Sequence, residues 1–289
     1  MTRAVTVVAT GPLALVEDLG RPGHAHLGVP PAGALDIPAL RLANRLVGNP
    51  ESAAGLECLL GGLVLRAETS CTIAVTGPSV PVTVDDHVVD SHAPVHLGPN
   101  QEFRLGTPAT GLRCYVAVSG GIDVPAHLGS RSTDLLSGIG PAPLRAGDVL
   151  PLGTPEGLPG GADAIPPSRP ADDLTVPVTL GPRDDWFTDP AAQLAATTWS
   201  VSPESNRVGL RLLGDPLRRA PERDGAELVS EGVLTGAVQV PPSGRPVIFL
   251  ADHPTTGGYP ALGLVPAAHL AALAQLRPGA RVRLRARES

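Results

Sequence analysis

Glycine and proline punctuate this chain so densely, 34 and 33 of them in 289 residues, that few stretches remain in which a long helix could run. Glycine loses the most backbone freedom on entering a helix, and proline removes an amide donor and clashes with the preceding turn. Between them lie short runs of Val, Leu, Ile and Thr, and short apolar runs bounded by turn residues read as strands. The chain is therefore expected to be mainly β with a few short helices, and it is long enough for two domains with a core each.

The punctuation is heaviest at residues 18–36, Asp-Leu-Gly-Arg-Pro-Gly-His-Ala-His-Leu-Gly-Val-Pro-Pro-Ala-Gly-Ala-Leu-Asp. No regular helix fits there, yet the stretch carries Arg21, His24, His26 and two aspartates. Glycines that let backbone amides approach a ligand, prolines that fix the loop's shape, and charged side chains that orient are the makings of a binding loop. A plain surface connection is the alternative. A second stretch answers the first: Ser230-Glu231-Gly232, Val240-Pro241-Pro242-Ser243-Gly244, then Asp252-His253-Pro254-Thr255-Thr256-Gly257-Gly258-Tyr259-Pro260. Two such loops in distant parts of one chain suggest two halves facing a shared cleft.

Net charge and residue choice narrow the partners. The formal charge is −6, aromatics are 2%, and no basic run occurs, which argues against nucleic acid. Lysine is absent and all 22 basic residues are arginine, so this chain offers no Schiff-base lysine, phosphate-loop lysine or biotin attachment point. Anions must be held by arginine or by backbone amides. Cys58, Cys71 and Cys114 lack metal-ligand spacing and lie in apolar runs, where a free thiol acts as a small core residue. A reducing cytoplasm is the expected compartment. The N-terminal apolar run is broken by Gly11 and Pro12 and reads as strand and turn rather than signal peptide, and no run is long enough to span a membrane.

In chain order, Val5–Val8 and Leu13–Val16 read as strands around the Gly11-Pro12 turn. Asp36 is placed to cap a helix running to about Val47, with Pro38 in its first turn and Gly48-Asn49-Pro50 as its stop. Asn44 on that helix reads as a solvated polar residue. Residues 51–90 read as a run of strands, and Glu57, in an otherwise apolar strand, must find a partner or have a chemical role. Gly129-Ser130-Arg131-Ser132-Thr133-Asp134 is suited to holding an anion and equally to starting a helix; the two readings are compatible. Residues 144–152 and 276–284 share the pattern L-R-x-G, a turn before a closing strand, which suggests two related β domains. Residues 154–172, rich in Pro and Gly and without periodicity, are the expected linker between domains 1–153 and 173–289. A short helix is expected near 190–197 and a last one at 266–276.

None of the common nucleophile, metal-helix or dinucleotide motifs occurs. His24 and His26 would share a side in an extended loop, but no third metal ligand stands at a defined spacing, so the metal assignment is left unknown. Six separated motifs carry a resemblance instead: Gly20-Arg21-Pro22-Gly23; His26-Leu27-Gly28-Val29-Pro30-Pro31-Ala32-Gly33-Ala34-Leu35-Asp36; Gly120-Gly121-Ile122-Asp123-Val124-Pro125; Ser130-Arg131-Ser132-Thr133-Asp134; Ser205-Asn206-Arg207-Val208-Gly209; and Thr255-Thr256-Gly257-Gly258-Tyr259-Pro260. Together they resemble the family of the 5-oxoprolinase C subunit, the KipA-like, allophanate hydrolase subunit 2 or biotin-dependent carboxyltransferase family. Ala261 stands where that family often carries a basic residue.

The resemblance implies two cyclophilin-like β-barrel domains and a KipI-like partner subunit. In its oxoprolinase branch it also implies a LamB/YcsF-like subunit and ATP-driven opening of 5-oxoproline to glutamate, with magnesium accompanying the ATP. Such chemistry needs cations for phosphates and a substrate carboxylate, and acids for proton or metal work. The candidates are Arg21, Arg131 and Arg207 for anions, and Asp36, Glu57, Asp134, Glu231 and Asp252 for acid–base or metal roles. His26 and Tyr259 would handle or position protons. Gly23, Ser132, Thr133, Asn206, Thr255, Thr256, Gly257 and Gly258 complete the expected substrate and ATP contacts. The rival expectations are a carboxyltransferase served by carboxybiotin on another protein, and a non-catalytic regulatory partner of a KipI-like kinase inhibitor.

Overall fold

The computed structural model describes residues 3–160 and 172–287. Their elements are short strands with three brief α-helices and a few 3-10 turns, the mainly β architecture expected from the punctuation. The described residues fall into two compact units, one within Met1–Arg21, Ala32–Asp134 and Gly138–Pro170, the other within Pro22–Pro31, Leu135–Ser137 and Ala171–Ser289. Two short segments from the first half of the chain thus group with the second half. Of the expected linker, residues 161–171 lie outside the described residues.

The first unit contains two sheets. The six-stranded one runs Val149–Pro151, Ala4–Thr10, Leu63–Ala67, Glu102–Leu105, Val82–Val84, His87–Val89 in spatial order. The five-stranded one runs Leu13–Glu17, Gly55–Leu59, Arg113–Val118, Cys71–Thr76, Val95–Leu97. Alternation decides the inner faces: Val5, Val7, Leu63 and Leu65 from the first sheet meet Val16, Leu56, Ile73 and Val116 from the second in one buried cluster. Each fully buried side chain of this size contributes about 1.5–3 kcal/mol. All three cysteines are free and buried, in the core role their apolar surroundings suggested.

The strand Arg113–Val118 is buried along its whole length because both of its faces are covered. Cys114, Val116 and Val118 point into the sheet-to-sheet core, while Tyr115 and Ala117 pack beneath the helix Ile37–Leu46. That helix begins as its sequence predicts, with Asp36 Oδ1 accepting from the Ala39 amide at 3.0 Å. Asn44 departs from expectation. It is fully buried, donating Nδ2 to Ala53 O at 2.8 Å and accepting at Oδ1 from Asn49 Nδ2 at 3.0 Å. A polar side chain on a helix is usually solvated; this one ties the helix to the turn that follows it.

The second unit is a closed barrel, in order Asp173–Leu180, Ala261–Leu264, Ala237–Gln239, Val247–Phe249, Gly209–Leu213, Trp199–Val201, Arg281–Arg287. Its first and last strands close it by pairing in parallel from Asp173 with Arg281 to Thr179 with Arg287. The repeated L-R-x-G pattern therefore marks the same role twice, a final strand that pairs with its unit's first. In the first unit, however, Val149–Pro151 pairs antiparallel with Ala4–Thr10. The expected helices appear as Pro190–Ala196 and as a 3-10 turn, Ala267–His269, leading into Leu270–Ala274. No helix among the described residues is long and apolar enough to cross a membrane.

Candidate functional site

In the first unit, the two ends of the loop at residues 18–36 are pinched together as a neck. Ala34 N donates to Asp18 O at 3.0 Å, and a Cβ on Gly33, at φ +93°, would lie 2.8 Å from Gly20 N. Only glycine permits that approach. Between the two sides of the neck, Asp18 is buried and saturated. Its Oδ1 accepts from Ser130 Oγ at 2.6 Å, Ser132 Oγ at 2.6 Å and Gly20 N at 2.8 Å, and its Oδ2 accepts from Arg131 N at 2.7 Å. The anion held by the Ser130-Arg131-Ser132 motif is thus the protein's own Asp18, and the backbone there forms a turn, not a helix start. Arg131 directs its side chain elsewhere, to Val124 O at 2.8 Å and Asp123 Oδ1 at 2.7 Å, and stays half-exposed.

Arg21 behaves differently. It is 2% exposed, and among the described residues its guanidinium reaches only carbonyls, Nε to His127 O at 3.3 Å and Nη2 to Ser132 O. Nη1 is buried with no hydrogen-bond partner among the described residues, and the same holds for Thr133 Oγ1 in the adjoining motif. A buried cation served by carbonyls alone lacks the counter-charge that normally accompanies burial.

Glu57 found partners. Its Oε2 accepts from Tyr115 Oη at 2.7 Å and from Leu35 N at 3.0 Å, and its Oε1 lies 3.4 Å from Arg113 Nε. Tyr115 Oη in turn accepts from Asp36 N at 2.7 Å. Burial, then Glu57's charge, push the Tyr115 phenol well above its ordinary pKa, so it remains a hydrogen-bond donor. Glu57 and Asp36 therefore meet through one phenol that anchors the far end of the loop. Asp134, also buried, closes a turn in which its amide donates to Ile139 O at 2.9 Å.

In the second unit, the segment around Glu231 and the one around Thr256 come together as a ribbon, Glu231 opposite Gly257 and Gly232 opposite Thr256, while Thr255 O accepts from Val233 N at 3.0 Å. Arg183 pairs with Glu231 and lowers its carboxyl pKa by hydrogen bonding. Arg207 and Asp252 form a buried bidentate pair at 2.9 and 3.0 Å. Asn206 Oδ1 accepts from Val208 N at 2.9 Å, bracing the turn that carries Arg207. Tyr259 is 46% exposed and, with Gly258, lines an open cavity of about 540 Å³ that also meets Arg219 and Asp224. His26 sits exposed on the 3-10 turn Ala25–Leu27, and Gly23 leaves open space beside the loop backbone. Groups of three or more metal-ligating side chains do not occur among the described residues.

Sequence reasoning missed several residues here. Gln239, buried in the strand Ala237–Gln239, donates Nε2 to Tyr259 O at 3.2 Å, and a Cβ on Gly257 would lie 2.5 Å from the same nitrogen. A glutamine between Val238 and Val240 was the available signal. His253 links the two segments, with Nε2 3.0 Å from Thr235 Oγ1 and Nδ1 2.7 Å from Pro254 O. Arg219 left no local signal at all.

This mainly β chain, with a closed barrel in its second half and arginine-bearing glycine loops in both, belongs to the carboxyltransferase domain family, subdomains A and B, whose model matches residues 27–286. Among curated proteins it is 39% identical to the 5-oxoprolinase C subunit of Escherichia coli (strain K12), over 94% of this chain and 88% of that protein. It is 33% identical to urea amidolyase of Lachancea kluyveri over 96% of this chain, which spans only 16% of that enzyme. The crystal structure of the K. lactis urea amidolyase superposes with a TM-score of 0.91 at 32% identity, covering 98% of this chain and 19% of that one.

Proposed function

We propose that this chain is a subunit of an ATP-dependent 5-oxoprolinase, working in the cytoplasm with KipI-like and LamB/YcsF-like subunits to open 5-oxo-L-proline to L-glutamate. The observation that carries this reading is the two-sided match to the E. coli protein, 94% of this chain against 88% of that one. Phosphorylation by ATP would turn the lactam, a poor electrophile, into one that water can open. This chain's contribution is to hold and orient anions.

Arg21 fits such a group. A phosphate or the substrate carboxylate would give its orphaned Nη1 a partner and its buried charge a counter-ion, and Thr133 Oγ1 would supply a further hydrogen bond. Arg131, half-exposed, is the second cation proposed for the site. Magnesium, if it accompanies the nucleotide, would be held chiefly by phosphate oxygens and water, with at most a carboxylate or two from this chain. Biotin would have to be attached outside this sequence, since lysine is absent from it.

The likeness to urea amidolyase favours a second reading, transfer of a carboxyl group from biotin carried elsewhere. One experiment separates the two. The chain is co-purified with the KipI-like and LamB/YcsF-like subunits, and glutamate formed from 5-oxoproline and ATP is measured. Turnover by the assembly and none by the chain alone supports the proposal. Activity only with a biotinylated carrier hands the function to carboxyl transfer.

A further inference from the structure

The cavity beside Tyr259 is built around Arg219. Its guanidinium carbon lies 5.5 Å from the centre of the Trp186 ring, and its Nη1 donates to Ala226 O at 3.0 Å. Arg223, over the same ring at 5.2 Å, is neutralised by Asp185, whereas Arg219 meets no carboxylate among the described residues. A guanidinium held by a ring and a carbonyl has already lost most of its rotamer freedom, so an anion docking on its remaining N–H groups costs little further entropy.

The same cavity is lined by Asp224 and Glu227, both exposed and without a side-chain partner among the described residues. Leu228 adds an apolar wall, and the half-exposed Tyr259 a phenol. One fixed cation facing two free carboxylates repels a dianion such as phosphate, and a simple cation would leave the arginine without a partner. The arrangement suits a ligand carrying both charges. We infer that this cavity binds a free α-amino acid, its carboxylate on Arg219 and its ammonium on Asp224 and Glu227. A volume of about 540 Å³ accommodates such a molecule with its water.

The inference rests on this cavity alone and stands whether or not the chain serves an oxoprolinase, so its test uses the isolated full chain without nucleotide or other subunits. Isothermal titration is run with L-glutamate, L-alanine, glutarate, 5-oxo-L-proline and inorganic phosphate. At least one of the two amino acids is expected to bind. Glutarate and 5-oxo-L-proline, which lack an ammonium, should bind about tenfold more weakly than that amino acid or worse. Arg219→Gln should weaken amino-acid binding by a similar factor, and so should the double variant Asp224→Asn/Glu227→Gln. The double variant changes only exposed side chains and carries the test if Arg219→Gln fails to fold. No heat with either amino acid, phosphate, glutarate or 5-oxo-L-proline binding as tightly as the amino acid, or wild-type affinity in the folded variants overturns the inference.

Discussion

Replacing Glu57 by glutamine separates a bracing carboxylate from a chemical one. The side chains of Glu57 and Arg113 are 4% and 7% exposed, so the isosteric change removes a carboxylate charge beside a buried guanidinium while keeping the shape of the site. Breaking one side of such a pair costs about 3–5 kcal/mol. Tyr115→Phe removes the hydroxyl that joins Glu57 to the Asp36 amide, at about 1–3 kcal/mol. For a domain of this size each kcal/mol moves the melting temperature by about 2–4 °C, so Glu57→Gln should lower it by roughly 6–20 °C. Calorimetric melts of the wild type, both single variants and the double variant check this. Because the two residues share a hydrogen bond, the double variant should lose less than the sum of the singles. An unchanged melting temperature together with lost activity of the assembled enzyme would refute the bracing role and place Glu57 against a reacting group.

Three further outcomes are expected. Burial holds the imidazoles of His92 and His253 below the usual 6.5, so each favours folding only while neutral. That contribution is complete above pH 6.5 and is lost as pH falls toward the depressed folded values; urea midpoints at neutral and mildly acid pH should show the loss, and His92→Asn should reduce it. Asp36→Ala removes the helix cap and should cost about 1 kcal/mol in urea unfolding, whatever it does to activity. Arg131→Ala breaks a half-exposed pair with Asp123 and one hydrogen bond to Val124 O, and should lower stability by about 1 kcal/mol. The same variant should cut activity of the assembled enzyme by roughly two orders of magnitude if Arg131 binds substrate or phosphate, and a large loss of stability with full activity would make it structural.

Local signals made much of the fold legible. Asp36 followed by Pro38 marked a helix start, and Gly48-Asn49-Pro50 its end, because caps and breakers act within a few residues. The strands at Leu63–Ala67, Cys71–Thr76 and Val82–Val84 followed from short apolar runs bounded by turn residues, since such a run is too short for a helix and the turns fix its ends. The family was legible for a related reason: its motifs are turns, and turn chemistry is fixed by residue type. Partnership was not. Asn44 read as solvated because nothing local announces that Ala53 and Asn49 fold back onto it. The serines flanking Arg131 read as an anion site, and so they are, but the anion is Asp18, more than a hundred residues away in sequence. Arg21 and Arg131 looked alike on paper, two arginines in glycine-bearing loops. Only the tertiary packing buried one of them without a counter-charge and left the other half-exposed beside Asp123, because desolvation depends on what the rest of the chain brings to a residue and not on its neighbours in sequence.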